Sequence, residues 1–203
     1  MGGLHNETFW FRDENQFRLL EEKLYAELLS NNATVNIWSA ASSAGQEPYS
    51  ISLSVDSFLN SIQEDVFFRI TATDISSKMI ARAKRGVFTD FELERGLPSP
   101  LKDEHFTSVK EGWLISARHR ARVSYSTLNL MDDFKRLGCF DIIFCRNVLM
   151  YFSTATKLDI LNRLQAALKP GGYLFLSNTE RLPSDAQGFE VLQDMGTKYY
   201  RKI

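Results

Sequence analysis

Apolar positions along the chain switch between two periods, and their order predicts the fold. Phe17, Leu20, Leu24 and Leu28 share one face of a helix. Asp13 is placed to cap that helix, with Gln16 three residues on, and Ser30, Asn31 and Asn32 end it. Val35 to Ser39 then reads as a buried strand, after which Ile51, Val55, Phe58 and Ile62 return to helical spacing over about 47–62. Phe67 to Thr73 predicts a second strand that delivers Asp74 at its C-terminal end. Ser76 caps the following helix and Gly86 stops it. This β-α-β-α order implies a parallel sheet with right-handed crossovers.

From Val87 to Leu130 the rhythm changes. Pro98 and Pro100 break the segment, and Trp113 to Ile115 and Val123 to Tyr125 read as short strands around the basic turn Arg118-His119-Arg120, a small antiparallel β insert over about 105–127. Phe140 to Cys145 is a near-continuous apolar run, as in a strand covered on both faces. Ser153 caps a helix marked by Leu158, Leu161 and Leu168, which Lys169-Pro170-Gly171-Gly172 ends before the strand Tyr173 to Leu176. Phe189 to Leu192 and Tyr199 to Arg201, joined through Gly196, suit an antiparallel pair at a sheet edge. The expected class is α/β: a Rossmann-like, mixed but mostly parallel sheet with a small antiparallel insert.

Composition narrows the picture only a little. A chain of 203 residues supports one well-buried core, and 44% apolar with 24% charged residues is ordinary for a globular protein. A net charge of −1 gives no global attraction to nucleic acid or an anionic membrane. No apolar run approaches the roughly 20 residues that span a bilayer and the start lacks a signal pattern, so a cytoplasmic protein without membrane insertion is expected. Cys139 and Cys145 flank and end the apolar strand and read as small buried hydrophobes. His5, His105 and His119 are scattered without ligand spacing, and no metal is assigned.

The candidate chemistry sits where strands end. Val35 to Ser50 has the strand, small-residue loop and helix start of a nucleotide-type pocket. It carries one Gly where a dinucleotide fingerprint has three, and Glu47 at the helix entrance disfavours a pyrophosphate, so an adenosine ligand without phosphates fits better. Asp74, just past the second strand, is placed for the two ribose hydroxyls. Asn129 could read an adenine edge, and Glu47 suits a ligand carrying positive charge. Arg146-Asn147 follows the 140–145 strand onto the same rim. Each residue has a plainer reading: turn chemistry for Asp74 and Asn129, a first-turn dipole residue for Glu47, a surface ion pair for Arg146 or Arg12, a core tyrosine for Tyr151. Agreement at three successive strand ends favours a site.

Six stretches in order carry a resemblance over nearly the whole chain: Asn6 to Asp13, Trp38 to Ser50, Ala72 to Ser76, Asn129-Leu130, Phe144 to Phe152 and Leu168 to Phe175. Together they resemble the CheR family of S-adenosylmethionine-dependent chemotaxis receptor glutamate methyltransferases. The resemblance implies a class I methyltransferase domain over 1–203, with 1–30 as an N-terminal segment and linker helix closing over the cofactor site. It also implies methyl transfer from S-adenosylmethionine to receptor glutamates, giving γ-methyl esters and S-adenosylhomocysteine. By analogy, Asn6, Thr8, Arg12, Glu47, Asp74, Asn129, Leu130, Arg146 and Asn147 would contact the cofactor, and Arg12 and Tyr151 would meet the acceptor carboxylate. The partner implied is the helical cytoplasmic region of a chemoreceptor or related signalling protein.

The family typically has a basic, helical N-terminal domain, of which only the connecting end is represented here. The insert resembles the family's β-subdomain, which in some members docks a receptor's C-terminal peptide. In the central loop Ala41, Ser42, Ala44 and Gln46 stand where Gly, Cys, Thr and Glu are commoner, swaps that leave a pocket open. Two other readings share the fold. An amine methyltransferase usually needs a Pro-Pro-aromatic turn or paired glutamates after the fourth strand, where this chain has Arg146-Asn147-Val148. A sensor that binds S-adenosylmethionine or its product without catalysis is the other.

Overall fold

The computed structural model describes residues 7–203. Five strands form the parallel body of the main sheet: β1 (Thr34–Ala40), β2 (Phe67–Asp74), β6 (Val123–Thr127), β7 (Phe140–Cys145) and β8 (Leu168–Phe175). β9 (Phe189–Asp194) and β10 (Thr197–Lys202) complete it in the order β6-β2-β1-β7-β8-β10-β9. β10 pairs antiparallel with both β8 and β9. The β9–β10 turn has Met195 at φ 47° and Gly196 at φ 75°, the two left-handed positions that a tight hairpin twisted like its strands requires.

Strand periodicity divides the core into two layers. Val35 and Ile37 of β1, Ile142 and Phe144 of β7 and Phe175 of β8 join one buried cluster. Trp38, Ala40, Ile143, Cys145 and Leu174 join the other. The first is covered by α1 (Glu14–Leu19), a π-helical turn (Leu20–Leu24), α2 (Tyr25–Leu29) and α3 (Gln46–Ser61), which contribute Phe17, Leu20, Tyr25, Ile51 and Val55. The second is covered by α8 (Thr154–Ala167) through Ile160, Leu161 and Leu164. Each such side chain stabilises the fold by about 1.5–3 kcal/mol through burial, which fixes β7, buried along its whole length, at the centre. No described helix is long and apolar enough to cross a membrane.

Between β2 and β6 lie α4 (Ser77–Arg85), β3 (Val87–Phe88), α5 (Asp90–Glu94), α6 (Ser99–His105), β4 (Phe106–Val109), β5 (Gly112–Ile115) and α7 (Ala117–Arg122). β3, β5 and β4 form a small antiparallel sheet. Trp113 to Ile115 is therefore a strand of the insert, as the pattern indicated, whereas Val123 to Tyr125 is not. It belongs to the main sheet, parallel to β2 with Ile70 opposite Val123, and the basic segment before it is helical. A run of this length carries no mark of its partner, and the insert's second hairpin strand is β4.

Three local expectations need correction. Asp13 stands at the start of α1 but is left-handed (φ 60°) and makes no capping bond. Its carboxylate instead accepts from Asn178 N at 3.2 Å and pairs with Arg146 at 3.4 Å. Cys139 is exposed because it follows Gly138 in the turn before β7, and only Cys145 is buried. His105 and His119 are not scattered: with Asp56 they form a buried group whose ligand-capable atoms lie within 4.8 Å of one another.

Candidate functional site

The order of strands reverses between β1 and β7, which places a crevice at their C-terminal ends. The loop after β1 crosses it in very few residues. Ala41, Ser43 and Gly45 all adopt positive φ (58°, 50° and 102°), and Ser42 N donates to Thr73 O at 2.8 Å. A Cβ on Gly45 would lie 3.0 Å from Ala83 Cβ and 3.1 Å from Tyr125 Oη, so a larger residue there would push the loop outward.

Asp74 braces this loop from β2. Its Oδ2 accepts from Ser43 N at 2.8 Å and its Oδ1 from Ser76 N at 2.9 Å, which leaves each oxygen one further lone pair toward the crevice. Glu47, in the first turn of α3, accepts from Ser39 Oγ at 2.7 Å and from Arg146 Nε at 2.8 Å. Arg146 is a buried hub. Its Nη1 donates to Arg12 O at 2.5 Å and Gln16 Oε1 at 3.0 Å, and Gln16 Nε2 donates to Leu176 O at 2.7 Å. Gln16 thus ties α1 to the residue just past β8 rather than closing a capping box, and Arg146 holds the front segment against the rim.

Two chambers follow the crevice. One, of about 230 Å³, is lined by Glu7, Thr8, Phe9, Arg12, Ala41, Ser42, Ser43, Glu47, Arg146, Asn147, Met150 and Tyr151. The second, of about 220 Å³, is lined by Ala41, Ser43, Asp74, Ile75, Leu128, Asn129, Leu130, Asn147, Val148, Tyr151 and Phe152. Ala41, Ser43, Asn147 and Tyr151 belong to both, so Glu47 and Asp74 face one continuous cleft. Arg12 donates to Glu7 O at 2.8 Å and its guanidinium lies 5.1 Å from the Phe9 ring centre. Tyr151 is half exposed at the junction.

The cleft therefore gathers Thr8, Arg12, Glu47, Asp74, Asn129, Leu130, Arg146, Asn147 and Tyr151, while Asn6 lies outside the described residues. Arg146 has Nε and Nη1 committed to protein partners, and Asn129 Oδ1 accepts from Met131 N at 3.0 Å, which is the turn chemistry weighed against a ligand role. Two further residues join those expected to contact a ligand: Ser42, taken from the sequence only as a small loop residue, whose buried Oγ has no partner, and Ile75, exposed beside the second chamber. An exposed isoleucine directly after a strand-end aspartate was the available signal for a flat apolar ligand face. No histidine, cysteine or lysine lines either chamber among the described residues.

A phosphate-free adenosyl sulfonium suits this donor set: carboxylates and backbone in place of a basic phosphate cradle, an apolar second chamber, and an unpartnered hydroxyl in the first. Residues 6–197 match the family described as CheR methyltransferase, SAM binding domain. The chain is 42% identical over 193 residues to chemotaxis protein methyltransferase 1 of Pseudomonas aeruginosa, covering 93% of this chain and 70% of that protein. It is 40% identical over 196 residues to the chemotaxis protein methyltransferase of Vibrio parahaemolyticus, covering 93% and 69%. To a probable chemotaxis protein methyltransferase of Rhizobium etli it is 36% identical over 203 residues, covering 97% and 74%.

Proposed function

This chain belongs to the CheR methyltransferase family, with S-adenosylmethionine as its cofactor, and from that premise we propose that it methylates glutamate side chains on the helical cytoplasmic region of a chemoreceptor. The observation that carries the choice of acceptor is the cleft's lining. It offers a cation and a phenol, Arg12 and Tyr151, and, among the described residues, no histidine, cysteine or lysine to take a proton from an amine or hydroxyl acceptor. A glutamate is already ionised at neutral pH, so the attacking oxygen has no proton to lose.

S-adenosylmethionine supplies the methyl group: a new O–CH₃ bond forms on the glutamate as the S–CH₃ bond breaks, its electron pair staying on sulfur. The residues position the partners. Asp74 would hold the ribose, Asn129, Leu130 and Ile75 the adenine, and Thr8, Glu47 and Asn147 the methionyl end. Arg12 in a single-point contact and Tyr151 donating to the second oxygen would fix the acceptor carboxylate without quenching the attacking lone pair. Alignment of this kind lowers a barrier by roughly 7–11 kcal/mol. The domain unit proposed is 1–203, with 1–30 as the segment and linker helix that closes over the cofactor site, its described part lining the cleft from Glu7 to Arg12.

Incubation of methyl-labelled cofactor with chemoreceptor cytoplasmic fragments tests the reading. Label released as methanol by mild alkali is expected. Alkali-stable label would indicate an amine acceptor, and cofactor binding without any label would indicate a sensor.

A further inference from the structure

Asn147 is one of the four residues shared by the two chambers, and it is held in the left-handed region, φ 58°, two residues past the end of β7. Asparagine tolerates that conformation better than most residues, yet something must hold it there. What holds it is Glu180, in the turn that follows β8. Glu180 Oε2 accepts from Asn147 N at 3.0 Å and from Ser177 N at 2.9 Å. Oε1 is buried and has no hydrogen-bond partner.

An unpartnered buried carboxylate oxygen calls for an explanation. Among the described residues no cation lies within salt-bridge distance of Glu180. The neighbouring Arg181 directs Nη1 to the backbone oxygens of Asn178 and Glu180 instead. The neighbouring acids each have partners for their oxygens: Glu47 and Asp13 share Arg146, and Asp74 accepts from Ser43 N and Ser76 N. The charge of Glu180 is felt locally, because the buried Cys145 thiol at the end of β7 is pushed up first by burial and next by Glu180, ahead of Glu47.

We propose that Glu180 is a positioning residue of the methyl-transfer site with two separable actions: Oε2 fixes Asn147, and the uncompensated charge favours the sulfonium cofactor over its neutral thioether product. The inference rests on the reading of the cleft as the cofactor site. In a partly buried setting a single charge acts over several ångströms, so attraction present before transfer is gone after it. Product release is thereby assisted without any moving part.

Calorimetric titration of both S-adenosylmethionine and S-adenosylhomocysteine into Glu180→Gln and Glu180→Ala separates the two actions. Glutamine keeps an acceptor for both backbone N–H groups and removes the charge. In Glu180→Gln the cofactor is expected to bind about fivefold more weakly and the product within twofold of wild type. Glu180→Ala also frees Asn147, and turnover is expected to fall about tenfold further, a loss that the glutamine variant does not show. Equal weakening of cofactor and product in Glu180→Gln would overturn the charge action, and identical turnover in the two variants would overturn the anchor. If Glu47→Gln abolishes cofactor binding while the affinity ratio stays at its wild-type value in Glu180→Gln, the cleft stands and the role of Glu180 does not.

Discussion

Two buried charged clusters sit on this fold and are built to opposite ends. Around Arg146, one guanidinium serves two carboxylates, Glu47 and Asp13, and borders a cleft lined by the unpartnered hydroxyl of Ser42, with the unpartnered Glu180 Oε1 behind Asn147. Around Asp56, one carboxylate serves two guanidiniums, with Arg118 Nε at 2.8 Å and Arg122 Nη1 at 2.7 Å. His119 lies beside it, 2.7 Å from Ser52 Oγ and 3.0 Å from His105. That group joins α3 to α6 and α7 and borders neither chamber of the cleft. The first cluster has negative charge to spare and opens on a cleft; the second has its carboxylate saturated by two guanidiniums and positive charge to spare, with Arg118 reaching solvent at its edge. Buried charge on its own thus says little about function, and the sign of what is left over says more.

The largest effect is expected from Arg146→Ala, which strands Glu47, Asp13 and Gln16 inside the fold. Urea unfolding should show a loss of about 3–5 kcal/mol, whereas a loss below about 1 kcal/mol would mean that the hub is no more than a surface pair. Arg12→Ala should lower turnover by about 10²-fold while leaving cofactor affinity within about threefold if, as proposed, its guanidinium orients the acceptor carboxylate. Equal losses in turnover and in calorimetric affinity would refute the orienting role. Asp56→Asn should cost about 1–3 kcal/mol of stability by leaving two arginines without a counter-charge.

The smallest effect is in pH. Burial holds both His119 and His105 below the ordinary histidine range, His119 the more strongly. The unfolded chain takes up these protons near pH 6.5 while the folded chain resists them. The histidine contribution to stability is therefore fully present above that pH and declines as pH falls through it. The melting temperature should drop by a few degrees between pH 7.5 and 5, with a shallower slope in His119→Asn. An unchanged slope in that variant would remove His119 from the account of acid sensitivity.

The same contrast explains what could be read in the chain beforehand. Asp74 ends β2, Asn129 and Arg146 come within two residues of the ends of β6 and β7, and Glu47 opens the helix after β1; strand ends in a doubly wound sheet converge, so their meeting was legible. Asp56, His105, Arg118 and His119 come from three helices at no fixed spacing and meet only through packing. Glu180 was invisible for a related reason: its role depends on one backbone N–H across the crevice. The parallel placement of β6 was hidden because Val123 to Thr127 pairs with a strand far earlier in the sequence, beyond an insert whose own β5 looks alike.

The most direct measurement is calorimetric titration of S-adenosylmethionine into Glu47→Gln and Asp56→Asn side by side. Removing one acid from the open cluster should weaken binding by at least about tenfold, and removing one from the Asp56 cluster should leave it within about twofold. Unchanged affinity in Glu47→Gln, or an equal loss in Asp56→Asn, would contradict the assignment of the β1–β7 cleft as the site for a cationic cofactor.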